Sequence, residues 1–416
     1  MLVIGTTGAG KTTALIRLWA GFWAAASLRH RAGREARPWL VVIDAKGGFD
    51  SRDTAQRARE VLRDLGARNV GIWPDEVTLN LWALPPGRLA EVLCDLVPVA
   101  SEGPAAYYAD VLASVVGLAV GAPAGPPTSS ADFLGRLDGA WLTGAYAGDA
   151  VRAGEVAAAR EHAPDVRLRY RTLFTRLGPG FDGGARVTDF DALYCIVEGT
   201  ASVAAGQAQA RALVELVTDA AASWGGESRR AGLLAVDEFS AVAGRVPVHE
   251  LTERCRSLGL AVQVAAQSWE SLAPQEDQRS RLAATAAGGV LVMRSPDPEA
   301  LCSLAGTRAV IETGRKIIGA GRYGPEGTGR LQRAWVVDPD RVRNFRAGQA
   351  AYIRGAACTY VQIAAYRRSP LALPAGPAEP GGALPGRAAD APAVPGREDP
   401  AVAAGPAVPL PGGDPR

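Results

Sequence analysis

The sequence predicts an α/β fold with a mainly parallel central sheet, on three observations. Short apolar runs rich in β-branched residues recur along the chain. Several of them lack the polar alternation of a half-exposed strand, which is typical of strands buried on both faces of a parallel sheet. Stretches with helical periodicity separate these runs, and strand–helix alternation favours an open α/β architecture. A glycine-rich loop follows the first run directly and precedes the first helical stretch.

The predicted elements alternate along the chain. We expect strands at residues 2–4, 39–43, 193–197, 233–236, 260–266 and 290–293. We expect the main helices at residues 13–28, 51–65, 202–224 and 247–258. Each predicted strand except 290–293 thus has a predicted helical stretch directly before or after it, as parallel crossover connections require.

The pattern changes at two places, which predicts the domain organisation. Between residues 85 and 188 the strand runs vanish, and Ala, Arg and Gly dominate with helical periods. We therefore expect a mostly helical insertion at 85–188, within one α/β domain formed by residues 1–84 and 189–366. Residues 367–416 are rich in Pro, Ala and Gly, so we expect a disordered tail there. The insertion carries arginines that form either a solvated charged face or a nucleic-acid surface. They are Arg160, Arg167, Arg169, Arg171 and Arg176.

Composition and cysteine spacing exclude several classes of site. The 416-residue chain has 45 basic and 43 acidic residues and a net charge of +2, so no strong basic field is present. A local basic surface would be hidden in this balance. The five cysteines are scattered and never spaced C-x-x-C, which indicates reduced thiols and no zinc or disulfide framework. The apolar stretch 13–28 is too short to span a membrane and contains Arg17, so we expect a soluble chain.

Lysine is rare, with three lysines against 42 arginines, and two of the three have a distinctive context. Lys11 closes the glycine-rich loop, and Lys46 lies in a D-A-K-G-G segment after an apolar run. A compact ammonium fits a cradle of backbone amides that a wide guanidinium does not. Lys316 has no such context.

The glycine-rich loop matches G-x-x-x-x-G-K-[ST], with an apolar strand before it and a helix after it. Its glycines let successive N–H groups point inward at phosphate oxygens, and the helix N-terminus adds its positive dipole end. We expect Lys11 to reach the β- and γ-phosphates and Thr12 to hold Mg²⁺. The predicted phosphate-binding residues are Gly5, Thr6, Thr7, Gly8, Ala9, Gly10, Lys11, Thr12 and Thr13.

An acidic pair provides the second part of a hydrolytic site. The apolar run 233–236 ends in Asp237 and Glu238. A carboxylate at the end of a strand can hold the water shell of a metal ion, and the next one can take a proton from attacking water. We therefore assign Asp237 to the metal and Glu238 to the base. The gap of more than 200 residues after the loop disfavours small kinases and GTPases, and neither N-K-x-D nor L-S-G-G-Q occurs.

Four segments in order resemble the FtsK/HerA branch of RecA-like P-loop ATPases, and most of all the coupling proteins of conjugative type IV secretion. They are GTTGAGKTT (5–13), VVIDAKGG (41–48), LLAVDEFSAV (233–242) and CRSLGLAVQVAAQSWESL (255–272). Residues 337–353 are similar to the C-terminal end of the family, so the resemblance covers about residues 1–366. It implies a RecA-like fold with an all-helical insertion, ATP and Mg²⁺ as cofactors, and P-loop ATPase activity.

The resemblance also implies residue roles. Gln267, at a strand end, would sense the γ-phosphate or position water, or else it is a polar strand cap. Arg256 would be the arginine finger that enters the site of a neighbouring subunit, with Arg254 as the competing candidate. Lys46 would bind phosphate, or pair with Asp44 or Asp237 in a structural ion pair. The predicted catalytic residues are Glu238, Lys11, Gln267 and Arg256.

The function that the resemblance implies is a homo-hexameric motor that hydrolyses ATP and moves DNA, without sequence preference, toward a type IV secretion-like channel. Expected further partners are membrane-anchored secretion or relaxosome proteins, and the expected location is the cytoplasm or the inner face of the cell membrane. Two alternatives stay open: a secretion or assembly ATPase of the HerA type without DNA translocation, and a nucleotide-dependent adaptor that recruits a nucleoprotein.

Overall fold

A nine-stranded, mainly parallel sheet organises the molecule. The computed structural model describes residues 1–99, 103, 106–199, 201–224, 230–246, 248–318 and 322–367. All of the predicted tail except Arg367 lies outside the described residues. The strands are β1 (Leu2–Ile4), β2 (Ala36–Asp44), β3 (Val70–Trp73), β4 (Ala192–Ile196), β5 (Arg230–Asp237), β6 (Leu260–Ala266), β7 (Val290–Val292), β8 (Thr307–Ile318), β9 (Arg322–Trp335), β10 (Gln349–Arg354) and β11 (Ala357–Gln362).

The strand order places the glycine-rich loop at the middle of the sheet. The order is β11-β10-β7-β1-β6-β5-β2-β4-β3, and β8 and β9 form a separate two-stranded ribbon. The seven strands from β7 to β3 run parallel, and β10 and β11 form an antiparallel edge. The carboxyl ends of the parallel strands therefore meet at one edge, where open α/β sheets bind ligands.

Helices cover both faces of the sheet. They are α1 (Lys11–Arg31), α2 (Gly48–Asp64), α3 (Pro86–Leu96), α4 (Ala106–Val120), α5 (Ser130–Arg136), α6 (Gly139–Ala145), α7 (Ala153–Leu177), α8 (Val203–Ala222), α9 (Val248–Ser257), α10 (Glu276–Thr285), α11 (Glu299–Ser303) and α12 (Pro339–Arg343). No helix of the described residues is both long and apolar enough to cross a bilayer.

The central parallel strands are mostly apolar because they contribute to two cores. Val3 and Val42 pack with α1 and α2 in one core. Val41 and Ile43, their alternating neighbours, pack in the other with α8 and with the helices between residues 85 and 188. Side chains alternate across a strand, so burial on both faces removes the polar alternation. The mainly parallel α/β fold predicted from the sequence is thus confirmed.

The helices α3 to α7 lie within residues 85–188 and belong to the same apolar core as α8. Aromatic side chains join them: Phe133 stacks edge-on against Tyr170, with ring centroids 4.9 Å apart. The Tyr170 hydroxyl donates to the carbonyl of Leu93 at 3.0 Å and so connects α7 to α3. This region forms a layer against one face of the sheet.

Candidate active site

The glycine-rich loop lies between the end of β1 and the start of α1. Gly8 and Gly10 have φ values of 76° and 93°, a left-handed backbone that side chains with a Cβ rarely adopt. A Cβ on Gly10 would lie 2.9 Å from the nitrogen of Gly348. At Gly5, a Cβ would lie 2.7 Å from the Cβ of Met293. These glycines are required by the turn and by the close approach of two neighbouring segments.

Hydrogen bonds to neighbouring segments fix the outer side of the loop and leave most of its backbone amides without an acceptor. The amide of Thr6 donates to the carbonyl of Arg294 at 2.9 Å, and the amide of Gly348 donates to the carbonyl of Ala9, also at 2.9 Å. The first bond inside α1 runs from the amide of Ala14. Among the described residues we find no acceptor for six preceding amides, which belong to Thr7, Gly8, Gly10, Lys11, Thr12 and Thr13. Amides presented in this way at a helix N-terminus bind anions such as phosphate.

Lys11 brings a buried positive charge to the same place. Its side chain is only 7% exposed, and its Nζ lies 3.8 Å from Oε2 of Glu238. Burial lowers the pKa of Lys11, and the charges of Glu238 and Asp237 oppose that shift. A buried ammonium with one long ion pair is able to bind a further anion.

Two carboxylates end neighbouring strands side by side. Asp44 of β2 and Asp237 of β5 are partners in the parallel register, and both are 1% exposed. Burial, followed by the charge of Asp237, raises the pKa of Asp44. The hydroxyl of Tyr194 donates to Asp44 at 2.6 Å, which supports one of these buried oxygens.

Lys46 connects this carboxylate pair to the cleft. Its ammonium donates to Oδ2 of Asp237 at 3.1 Å, and its amide donates to Oδ1 of Asp44 at 3.0 Å. Burial is the largest single influence and lowers the pKa of Lys46, but the charge and the hydrogen bond of Asp237, together with the charges of Asp44 and Glu238, outweigh it, so the pKa is raised. Of the two ion pairs that the sequence left open, the ammonium makes the one with Asp237.

Glu238 lies on a turn where its own backbone conformation is strained. It has φ 53° and ψ 49°, and among the described residues it is the only non-glycine with positive φ. Such outliers cost about 1–3 kcal/mol and cluster at active sites. Its carboxylate accepts from the hydroxyl of Ser240 at 3.2 Å and is only 8% exposed as a residue. The turn thereby directs the carboxylate toward Lys11 rather than along the strand.

A cleft of about 680 Å³ at the carboxyl edge of the sheet joins these groups. Lys46, Glu238 and Gln267 line it opposite the loop. Seven predicted loop residues also line it: Thr6, Thr7, Gly8, Gly10, Lys11, Thr12 and Thr13. Gly5 and Ala9 are buried beneath the loop.

The cleft contains a donor set suited to Mg²⁺ with a phosphate ligand. Thr12 supplies a hydroxyl at the cleft wall, and Asp237 lies behind the lining. Both Asp237 oxygens already accept hydrogen bonds, from the amide of Glu238 at 2.8 Å and from Lys46 at 3.1 Å. Mg²⁺ is usually held by one or two protein oxygens together with phosphates and waters. Because both of its oxygens are already engaged, Asp237 is better suited to contact waters of the Mg²⁺ shell than to ligate the ion directly.

Arg256 lies elsewhere in the chain. It belongs to the last turn of α9, close to the amino end of β6, and it lines an apolar groove of about 460 Å³ with Leu18, Phe22 and Leu260. The glycine-rich loop is at the opposite, carboxyl edge of the same sheet. Arg254 is also exposed on α9. Neither arginine belongs to the cleft of its own chain, so the role of a finger in a neighbouring site stays a prediction.

The cleft has a wall that sequence reasoning missed, formed by one face of α2. Its lining residues are Asp50, Asp53, Thr54 and Arg57, and Ser240 completes this side. The spacing of three, four and seven residues places the four on one helix face. That spacing, directly after the D-A-K-G-G segment, was the available signal.

The fold and the loop together define the RecA-like P-loop fold. The parallel sheet order, the loop between β1 and α1, and the acidic pair at the end of β5 are its defining parts.

Comparison with known proteins agrees with this class. No family model matches, and no curated protein matches. The structure resembles the bacterial conjugative coupling protein TrwBdeltaN70, with a TM-score of 0.56, 16% identity, and coverage of 89% of this chain and 85% of that chain. It resembles the plasmid coupling protein TrwB in complex with ADP and Mg²⁺ equally, with a TM-score of 0.56, 16% identity and coverage of 88% and 85%. VirB4 of Thermoanaerobacter pseudethanolicus gives a TM-score of 0.50, 15% identity and coverage of 88% and 89%. At these identities the similarity shows a shared fold.

Proposed function

We propose that the protein is an ATPase that uses ATP and Mg²⁺ to move DNA toward a type IV secretion-like channel. The observation that carries the ATPase part is the position of Glu238. A strained turn holds its carboxylate beside Lys11, in the same cleft as the free loop amides. A base within reach of the γ-phosphate position is what hydrolysis requires beyond binding.

This geometry supports the following residue roles. The loop amides and Lys11 bind the phosphates, and Thr12 and Asp237 hold Mg²⁺ directly and through water. Mg²⁺ supplies charge neutralisation of the β- and γ-phosphate oxygens when bound. Glu238 accepts the proton of the attacking water, and Gln267, exposed at the end of β6, orients that water. Lys46 is the second cation at the phosphate end.

The proposed assembly is a homo-hexameric ring in the cytoplasm or at the inner face of the cell membrane. Arg256 lies on the far edge of the sheet from its own cleft, so it can complete only the cleft of a neighbour. An arginine supplied across an interface contributes roughly 10³–10⁵ in rate. The proposed motor domain is residues 1–84 and 189–366, with 85–188 inserted. Membrane-anchored secretion or relaxosome proteins are the proposed further partners.

The DNA part of the proposal has a direct test. The ATPase rate is measured without DNA, with single-stranded DNA and with duplex DNA, while the oligomer size is recorded in each mixture. We expect stimulation by at least one form of DNA, and this stimulation should fall steeply with salt because phosphate contacts release counterions. A rate that is the same in all three mixtures, in a sample that forms rings, would contradict DNA translocation.

A second candidate is a secretion ATPase without a DNA track, which the shared fold with VirB4 favours. It predicts the same nucleotide chemistry and the same cleft, but a rate that responds to protein partners and ignores DNA. The three mixtures above therefore discriminate between the two candidates.

A further inference from the structure

The ribbon of β8 and β9 is a sheet separate from the nine-stranded one. The two strands pair in antiparallel register from Thr307 with Trp335 to Ile318 with Arg322. Within the described part of the chain, each of these strands packs extensively only on the other. Its 12-residue strand β8 extends over about 40 Å at about 3.4 Å per residue. An isolated two-stranded hairpin is at best marginally stable in water, so a long one suggests a binding partner.

Both faces of the ribbon are open to solvent near its base. Arg308 and Arg330 belong to one face, and Ile311 and Leu331 lie opposite each other on the other face. All four are exposed, Ile311 by 66% and Leu331 by 70%. The apolar pair joins the two strands to each other, which accounts for two large apolar side chains at the surface.

The ribbon concentrates the positive charge of the chain. Residues 307–335 contain six basic and two acidic residues, a net charge of +4, whereas the whole chain has +2. The rest of the molecule is therefore net negative. Among the described residues, no carboxylate forms an ion pair with Arg308, Arg330 or Arg333. Arg333 makes one long hydrogen bond, to the hydroxyl of Thr307 at 3.5 Å. Lys316, the lysine without a motif, also belongs to this ribbon.

We propose that the β8–β9 ribbon binds nucleic-acid phosphates and is the element through which the motor holds DNA. This inference rests on the proposed function and adds the binding surface. Unpaired guanidinium groups on a projecting ribbon match a polyanion, and a two-stranded ribbon has the width of a DNA major groove. Charge favours DNA over a protein partner, because Arg308, Arg330 and Arg333 are exposed without a carboxylate partner among the described residues. The apolar pair Ile311 and Leu331 lies opposite each other across the two strands and needs no third partner.

The test removes equal charge from two surfaces. One variant carries Arg308→Gln, Arg330→Gln and Arg333→Gln in the ribbon. Its matched control carries Arg160→Gln, Arg169→Gln and Arg171→Gln, three exposed arginines of α7. A labelled oligonucleotide, as a single strand and as a duplex, is titrated with the full chain at several salt concentrations. Each lost phosphate contact lowers the slope of log K against log salt by about 1. We expect a drop of about 2–3 for the ribbon variant and no change for the control.

A gain-of-binding variant guards against misfolding as an explanation. Glu312 lies opposite Arg330 on the ribbon, and Glu312→Gln removes an exposed negative charge there. We expect Glu312→Gln to tighten binding severalfold on both oligonucleotides, which damage to the fold would not produce.

The outcomes separate this inference from the proposed function. If the wild-type chain binds neither oligonucleotide, the proposed DNA function itself is wrong. Wild-type binding with an unchanged slope in the ribbon variant defeats the ribbon inference alone. An equal drop in the α7 control also overturns it, because the effect would then come from overall charge. A ribbon variant that changes oligomer size and keeps its DNA slope would show that the ribbon contacts another copy of the chain.

Discussion

The cleft and the ribbon treat charge in opposite ways. In the cleft, each buried ionic group has a partner: Asp237 with Lys46, Asp44 with Tyr194, and Lys11 with Glu238. In the ribbon, the described arginines are exposed and have no carboxylate partner. Buried charges are costly unless they are paired, whereas exposed ones are solvated at little cost. The chemistry proposed for the cleft requires groups held in position, and the polyanion binding proposed for the ribbon requires only exposed charge.

The largest expected effect is on turnover, from Glu238→Gln. The amide keeps the size of the side chain but cannot accept a proton, so we expect kcat to fall by about 10²–10⁴. ATP binding should persist, because the loop amides and Lys11 are untouched. ATPase kinetics and nucleotide titration measure the two effects. The control is Ser240→Ala, which removes one hydrogen bond to Glu238 and should cost much less. Near-normal turnover in Glu238→Gln would show that another group is the base.

Next in size is the effect of Gly10→Ala on the loop. The added Cβ meets the nitrogen of Gly348 at 2.9 Å, and φ is 93°. We expect a loss of about 1–3 kcal/mol in the free energy of unfolding and at least a tenfold loss of ATP affinity, because the amides would shift. Gly33→Ala is the matched control, since φ is 68° and nothing lies within 4 Å of its Cβ position. It should show backbone strain alone and normal nucleotide binding. Equal effects of the two substitutions on affinity would contradict the loop geometry.

Lys46→Met tests whether Lys46 acts on nucleotide, on stability, or on both. It leaves Asp237 buried without its cation, so we expect a loss of about 1.5–3 kcal/mol in the free energy of unfolding. Lys46→Arg keeps the charge and is the control for the ion pair. Phosphate binding by Lys46 predicts that ATP affinity falls more than ADP affinity. A stability loss with both affinities unchanged would reduce Lys46 to a structural partner.

The same variant has a defined pH dependence. The folded-state pKa of Lys46 is raised above its ordinary value of 10.5. The stabilisation from its charge is therefore complete below that value and is lost as pH rises through the raised pKa. We expect the difference in unfolding free energy between wild type and Lys46→Met to be constant near neutrality and to shrink above pH 10.5. Denaturant titrations at neutral and alkaline pH measure it.

The parts of this structure that sequence patterns predict are those whose residues are buried on both faces or held in a local motif. β1 and β6 were predicted at their observed bounds because continuous apolar runs encode them. β3 was missed because Gly71 interrupts its apolar run, and a Cβ at that position would lie 2.7 Å from the ring of Phe190. β10 and β11 form a sheet edge and the ribbon is exposed, so they lack such runs.

The site divides in the same way. The glycine-rich loop is one run of consecutive residues, and the acidic pair is another. A local sequence pattern therefore predicted each of them. The support of Asp44 by Tyr194 and of Asp237 by Lys46 arises from the register of β2, β4 and β5, which are distant in the chain. No local pattern encodes that register. The α2 wall of the cleft depends likewise on how a helix face is turned toward the loop.

The smallest expected effect on stability comes from a substitution in the ribbon. It tests whether the ribbon unfolds independently of the core. Leu331→Ser removes an exposed side chain, so the free energy of global unfolding should change by less than about 0.5 kcal/mol. Leu234→Ser, at a fully buried position of β5, should cost about 3 kcal/mol or more. Because Leu331 pairs with Ile311 across the ribbon, its loss should still open the ribbon locally. Limited digestion with trypsin, with mass spectrometry of the cut sites, should then show faster cleavage between residues 307 and 335 in Leu331→Ser than in wild type. Unchanged cleavage together with a large loss of global stability would mean that the ribbon is part of the cooperative core, and the contrast between the two regions would fail.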